Sequence, residues 1–193
     1  MMRAGIDDDI PADPSTLIRL GTVVEVTLSP PRCRVRYGDP DADEEETETP
    51  PIRWLAGRAG RTRKWSPPSV GEEVVLLSPD GQVGNAIAVT GLVNDEYPAP
   101  SDEDIELMLF EDGARIAYDP LAHALTAILP GGATALIEAD GGVTIRGDVT
   151  IEGNVTVQGG VEATEDVKAG AISLKTHKHG GVSAGMAQTA APV

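Results

Sequence analysis

Two histidines separated by one residue, His177-Lys178-His179, are the positions whose type and spacing most directly suggest chemistry. On an extended strand, residues i and i+2 project to the same side, so both imidazoles face one way and Lys178 the other. One such pair supplies two nitrogen ligands, too few for a metal centre. Three copies around an axis supply six, in two layers of three, and that set is octahedral. Zinc favours four tetrahedral ligands, so six imidazole nitrogens suit iron(II) or a similar octahedral transition ion. Taken alone, a His-x-His in a polar tail reads as two exposed side chains. The metal reading therefore depends on whether the preceding residues bring three chains together.

The other chemistry-bearing cluster is Arg53, Trp54, Arg58, Arg61, Arg63, Lys64 and Trp65. Cations interleaved with aromatics are what a single-stranded nucleic acid binder requires. Charge opposes that reading. The chain of 193 residues carries a net charge of -16. Residues 1–50 contribute -7 (5 basic, 12 acidic), 51–94 contribute +2 (5 and 3) and 95–193 contribute -11 (5 and 16). Nucleic acid or an anionic membrane would be repelled by most of this chain. No nucleic acid partner is expected, and the basic island reads instead as a protein docking face. His123, between Ala122 and Ala124, has no second ligand nearby in sequence and reads as a surface or satisfied-core residue. No nucleophile motif stands out, and three histidines leave little for a catalytic triad. No catalytic residue and no enzyme activity are expected.

The elements that must position the histidine pair are written in a repeat. Glycine falls at 141, 147, 153 and 159, valine at 143, 149, 155 and 161, and a second apolar residue at 145, 151, 157 and 163. Within each hexad, apolar residues alternate with Thr, Arg, Glu or Gln, the period of a strand with one dry and one wet face. Glycine at a fixed step supplies the corner that a coiling β-structure needs. Each hexad buries two apolar side chains, and the hexads from 141 to 163 are too few for one chain to wind a solenoid core. Three intertwined chains would share an apolar interior and pair one another's strand edges.

Composition agrees with narrow β-structure. Aromatics are 3% of residues, against 22 glycines and 15 prolines, so few large side chains are available for a wide core. Cys33 is the sole cysteine, which excludes an intrachain disulfide. No signal-peptide pattern opens the chain, and the apolar runs fall short of the ~20 residues that span a bilayer.

Five domains of pattern follow. Residues 1–16 read as a flexible arm with Asp7-Asp8-Asp9. Residues 17–94 contain about five short strands separated by turns, an OB-type closed barrel. Within them, Asp39–Pro50 reads as an acidic, solvated hairpin loop. Residues 95–104 are linker, 105–176 a trimeric β-helix, with strand-like segments at 105–110, 114–118, 122–129 and 133–139 before the hexads, and 177–193 an apex.

Several blocks in this order carry a family resemblance: Leu20-Gly21-Thr22-Val23, the two tryptophans flanking a basic link, Pro67-Pro68-x-Val70-Gly71-Glu72-x-Val74, Ser78-Pro79-x-Gly81, and Gly91-Leu92. Together with the glycine hexads and the terminal His-x-His, they resemble the baseplate assembly protein V family, the central tail spikes of contractile-tailed phages. The resemblance covers most of the chain from Leu17 onward and departs at the N-terminal arm. It implies an all-β fold: an N-terminal OB barrel followed by an intertwined trimeric β-helix needle with a metal-bound apex. It also implies iron, one Fe2+ per trimer, held by His177 and His179 of three chains. The implied role is a structural, membrane-piercing spike at the baseplate tip of the virion, assembled in the host cytoplasm. Its implied partners are two further copies, the baseplate hub protein and the host outer membrane. The basic island is then read as docking the spike on the hub. The competing readings are an OB-fold nucleic-acid binder and a hexapeptide-repeat acyltransferase or scaffold. An acyltransferase needs many more coils and a histidine within them, and no histidine lies between 124 and 176.

Overall fold

The computed structural model describes residues 14–38, 46–178, 181 and 185. Nearly all the regular structure is β; the helical pieces among the described residues are single turns at Pro14–Leu17, Pro79–Gly81 and Val83–Asn85. None is long and apolar enough to cross a membrane.

The first sheet contains β1 (Ile18–Leu28), β2 (Pro31–Tyr37), β3 (Thr47–Glu48), β4 (Arg53–Trp54), β5 (Glu73–Leu77) and β6 (Ile87–Leu92), in the order β3-β2-β1-β5-β6-β4. Pro30 and Pro31 lack the amide proton that would continue the β1 ladder, so the chain reverses there and β2 returns antiparallel, with Val26 opposite Cys33. On its other edge β1 pairs with β5, Gly21 opposite Val74, and β5 in turn pairs with β6.

Closure comes from the segment holding β3 and β4. Its first half runs antiparallel to β2, and the ladder continues past β3 through Thr49 N–H to the Val35 carbonyl (2.9 Å). Ile52 and Cys33 then exchange both backbone bonds, at 2.9 and 3.0 Å. Beyond them, β4 pairs in parallel with β6, Arg53 opposite Ile87, and Leu55 N–H extends that ladder to the Ala88 carbonyl at 2.8 Å. The sheet therefore closes on itself, as an OB barrel does.

Alternation fills the interior. Val23, Cys33, Val35, Ile52, Val74, Leu76, Ala86 and Ala88 form one buried cluster, with Val26, Tyr37 and Trp54 against it. A barrel this narrow requires a close approach of β1 and β2 at Gly21, where a Cβ would lie 2.5 Å from the Arg36 carbonyl oxygen. Thr49 is fully buried, and its hydroxyl oxygen accepts the Val35 N–H at 3.0 Å. Part of the stretch expected as solvated loop thus belongs to the barrel: Thr47–Thr49 pair with β2 because the buried amide of Val35 needs an acceptor.

The Pro-Pro-x-Val-Gly-Glu block is a turn docked on β1. Gly71 takes a positive φ of 89°, its N–H donates to the Val23 carbonyl at 2.9 Å, and Val23 N–H donates back to Glu72 at 2.9 Å. The Glu72 carboxylate accepts the Ser69 N–H at 2.9 Å, and Pro68 is buried beneath the turn.

After the barrel, β7 (Glu106–Leu109), β8 (Arg115–Asp119) and β9 (Ala124–Ile128) form an antiparallel meander. Asp112 and Asp119 make its turns by accepting backbone amides two or three residues on. His123 closes the second turn at φ 52° with its side chain exposed, a turn residue at the surface.

The first compact unit ends at Ala135 and the second runs from Leu136. Among the described residues of the second unit, strands form only as the hairpin of β10 (Lys168–Ala169) and β11 (Ile172–Ser173), turned at Gly170 (φ 60°). The expected strand at 133–139 and the hexads from 141 to 163 join no sheet among the described residues; Ala133 and Gly142 make only turn bonds, to the Pro130 and Ala139 carbonyls at 3.1 and 2.9 Å. Their apolar positions are in the open: Val143, Ile145, Val149, Ile151, Val155, Val157 and Val161 are 53–74% exposed.

Candidate functional site

His177 follows the β10–β11 hairpin. Leu174 N–H donates to the Val167 carbonyl at 2.9 Å, and the Asp166 and Ser173 side chains accept the amides of Lys175 and Thr176 at 3.2 and 3.0 Å. These bonds shape the turn that delivers His177, whose backbone N–H donates to the Ser173 carbonyl at 3.1 Å. The ring follows: Nδ1 lies 2.9 Å from the same carbonyl. A carbonyl oxygen only accepts, so Nδ1 carries the proton and the lone pair of the neutral ring lies on Nε2. An imidazole oriented by a backbone carbonyl through one nitrogen is the usual arrangement of a metal ligand binding through the other. Ser173 was missed in the sequence because its part is played by a main-chain oxygen four residues upstream. His179 lies outside the described residues, and among those described no three metal-ligating side chains of one chain converge.

The basic cluster is brought together more fully. Lys64 N–H donates to the Arg58 carbonyl at 3.0 Å, and Ala59 bridges Arg63, so residues 58–64 form a tight hairpin. This folds Trp65 back on Trp54 of β4, with ring centroids 5.9 Å apart at 52°. Arg53, Trp54, Arg58, Arg63, Lys64 and Trp65 line a cleft of about 300 Å3, joined by Pro31 and Arg32 from the start of β2. Arg61 does not line it. Arg32 lies twenty-one residues before Arg53 in sequence, and only barrel closure places it here.

Electrostatics sharpen the contrast. The described ion pairs are those of Arg34, with Glu48 at 2.8 Å and Glu25 at 3.8 Å. None of the five cleft cations pairs with a described carboxylate. Cys33 is buried, and its thiol is pushed up from 9.0 to about 11 by burial, with the Glu72 charge adding to it. At neutral pH it is a protonated core side chain, unsuited to attack or ligation.

The barrel, closed at Cys33 and Ile52 and carrying an unpaired glycine ladder, defines a class: residues 19–92 match the Type VI secretion system/phage-baseplate injector OB domain, and residues 171–193 match the GpV apex motif. Over 129 residues the chain is 40% identical to the spike protein of Escherichia phage P2, a match covering 66% of this chain and 57% of that protein. The chain belongs to the baseplate assembly protein V family. It spans little more than half the length of the P2 spike protein it matches.

Proposed function

We propose that three copies of this chain form the central spike at the tip of a contractile phage tail baseplate. The observation that carries this reading is the ladder from Gly141 to Glu162. Seven large apolar side chains at a six-residue step stand more than half exposed, on backbone that finds no strand partner among its own described residues. Such a segment is stable in water only when other chains cover it. Burying each of those side chains contributes roughly 1.5 to 3 kcal/mol, an upper range that scales with the number of chains intertwined. Threefold winding covers them on a common axis and pairs every edge.

The spike works mechanically, without catalysis. It is a virion component assembled in the host cytoplasm, seated on the baseplate hub protein and driven through the host outer membrane when the tail contracts. Stiffness is then the property under selection, and intertwined strands supply it. The apex motif in this family is a metal-binding one. Here His177, with Nδ1 held by Ser173, and His179 would present six imidazole nitrogens from three chains to one Fe2+ ion, tying the chain ends at the point of greatest load.

Mass in solution measured together with elemental content tests both parts. The expected result is a trimer with about one octahedral metal per three chains, lost in His177→Ala. A monomer would overturn the spike reading, and a metal-free trimer would overturn the apex assignment alone.

A further inference from the structure

The cleft between Trp54 and Trp65 gathers five cations, Arg32, Arg53, Arg58, Arg63 and Lys64, and none of them forms an ion pair with a described carboxylate, although the chain has 31 acidic residues. Arg34, two residues beyond Arg32, shows the contrast, since Glu48 and Glu25 match it. Like charges gathered by a hairpin and by barrel closure repel one another, and a bound anion relieves that repulsion. Four of the five are arginines, whose planar forks meet a carboxylate at two points. The rest of the lining is apolar: Pro31, Ala56, Ala59 and the two indoles, of which Trp65 is 61% exposed while Trp54 packs on the core. Such a site suits a ligand that brings carboxylates beside an apolar side chain.

Nucleic acid fits less well. A single strand is held by successive bases stacked on open rings, whereas Trp54 and Trp65 turn to one another at 5.9 Å, and about 300 Å3 is the low end of small-ligand pockets. A polyanion long enough to leave the cleft also meets Glu25 and Glu48 around Arg34, two residues on along β2. The cleft lies at a defined end of the barrel. Arg53 pairs with Ile87, the first residue of β6, whereas the chain leaves the barrel for the ladder after Leu92, the last. This six-residue strand puts roughly 17 Å between the two ends. A ligand of the cleft therefore approaches at the barrel end remote from that exit.

We infer that the cleft is the docking site for a short acidic segment of a second protein, one that sets two or more carboxylates next to an apolar side chain. In the spike proposed above, on which this reading of the partner rests, that protein is the hub on which the barrels sit. Arginine forks hold the carboxylates, and the apolar side chain lies on Trp65. Charge complementarity then selects the partner and speeds its capture, and the remaining, acidic surface of the chain turns other anions away.

Both tryptophans of the chain line the cleft, so intrinsic fluorescence reports on this site alone. The full chain is titrated with the acetylated and amidated peptide Glu-Glu-Leu-Glu-Glu-Leu. A saturable change in tryptophan fluorescence is expected, weakened by added salt and absent when glutamine replaces glutamate in the peptide. Arg58→Glu with Arg63→Glu is expected to weaken binding by roughly tenfold or more, with circular dichroism and trimer mass unchanged. A water-soluble carbodiimide, which takes up the water lost as an amine and a carboxylate form an amide, is expected to join the same peptide to Lys64, the only lysine before Lys168. No fluorescence change, an equal response to the glutamine peptide, undiminished binding in the double variant, or tighter binding of hexathymidylate or of phosphatidylglycerol vesicles would overturn the inference and leave the trimer standing. So would coupling of Lys64 to a carboxylate of the chain itself that the peptide does not displace. A monomer that binds the peptide would overturn the spike reading and keep the cleft; a monomer that does not would overturn both.

Discussion

The Tyr97 hydroxyl donates a hydrogen bond to the Val70 carbonyl at 2.8 Å, tying the chain that leaves the barrel to the turn that precedes β5. Asn94 makes a second tie, its amide donating to the Gly71 carbonyl at 3.2 Å and its carbonyl oxygen accepting the Tyr97 N–H at 2.6 Å. The strand exit is therefore strapped down over several residues. Tyr97→Phe removes one bond at an exposed position and is expected to lower barrel stability by about 0.5–1 kcal/mol, read as a shift of the denaturant midpoint at unchanged slope. An unchanged midpoint would show that the strap bears no weight.

Thr49 is the most consequential polar residue of the core. Thr49→Val keeps the shape but leaves the buried Val35 amide without its side-chain acceptor, an expected loss of about 1–3 kcal/mol. Thr49→Ser keeps the hydroxyl and is expected to lose less. Equal losses in both would assign the cost to packing alone.

Cys33 makes barrel stability depend on alkaline pH. Its folded pKa of about 11 lies above the ordinary 9.0, so the unfolded chain ionises first as pH rises. The contribution is whole below pH 9, falls between pH 9 and 11, and is gone above; two pKa units correspond to a loss on the order of 2–3 kcal/mol. Cys33→Ala is expected to flatten this part of the stability profile. In the native protein, iodoacetamide at pH 8 is expected to leave the thiol unmodified, and denaturation to expose it.

Ile151→Asp places a charge in the middle of the proposed shared interior, where three copies of it would converge. The expected outcome is a fall from trimer to monomer mass, while the fluorescence of Trp54 and Trp65 stays that of the folded barrel. A trimer that survives the substitution would mean that Ile151 faces water in the assembly.

What could be read before any coordinates were known followed from local pattern. A run of about five short strands separated by turns marked residues 17–94 as a barrel. The hexads announced themselves by step alone. Thr49 was hidden, because a threonine beside acidic residues and prolines has loop chemistry, and only the distant Val35 amide makes it core. Arg32 was likewise absent from the basic cluster, since its membership depends on which strand closes the barrel. The carbonyl that orients His177 belongs to Ser173, and main-chain partners leave no mark on residue type.

Closure of the barrel through Cys33 and Ile52 also separates the two halves of the chain in time. A sheet that satisfies its own edges folds at a rate indifferent to how many copies are present, and its last strand, β6, is already made when Leu92 is added. In the proposed trimer the ladder beyond Gly141 has no such independence, since its pairing would wait on encounters between copies and slow with dilution. Each chain therefore enters assembly with a finished head and an unfinished tail. In that proposal, any contact that brings three chains together would raise the local concentration of the tails, and a reaction among three dilute strands would become a zipping within one particle.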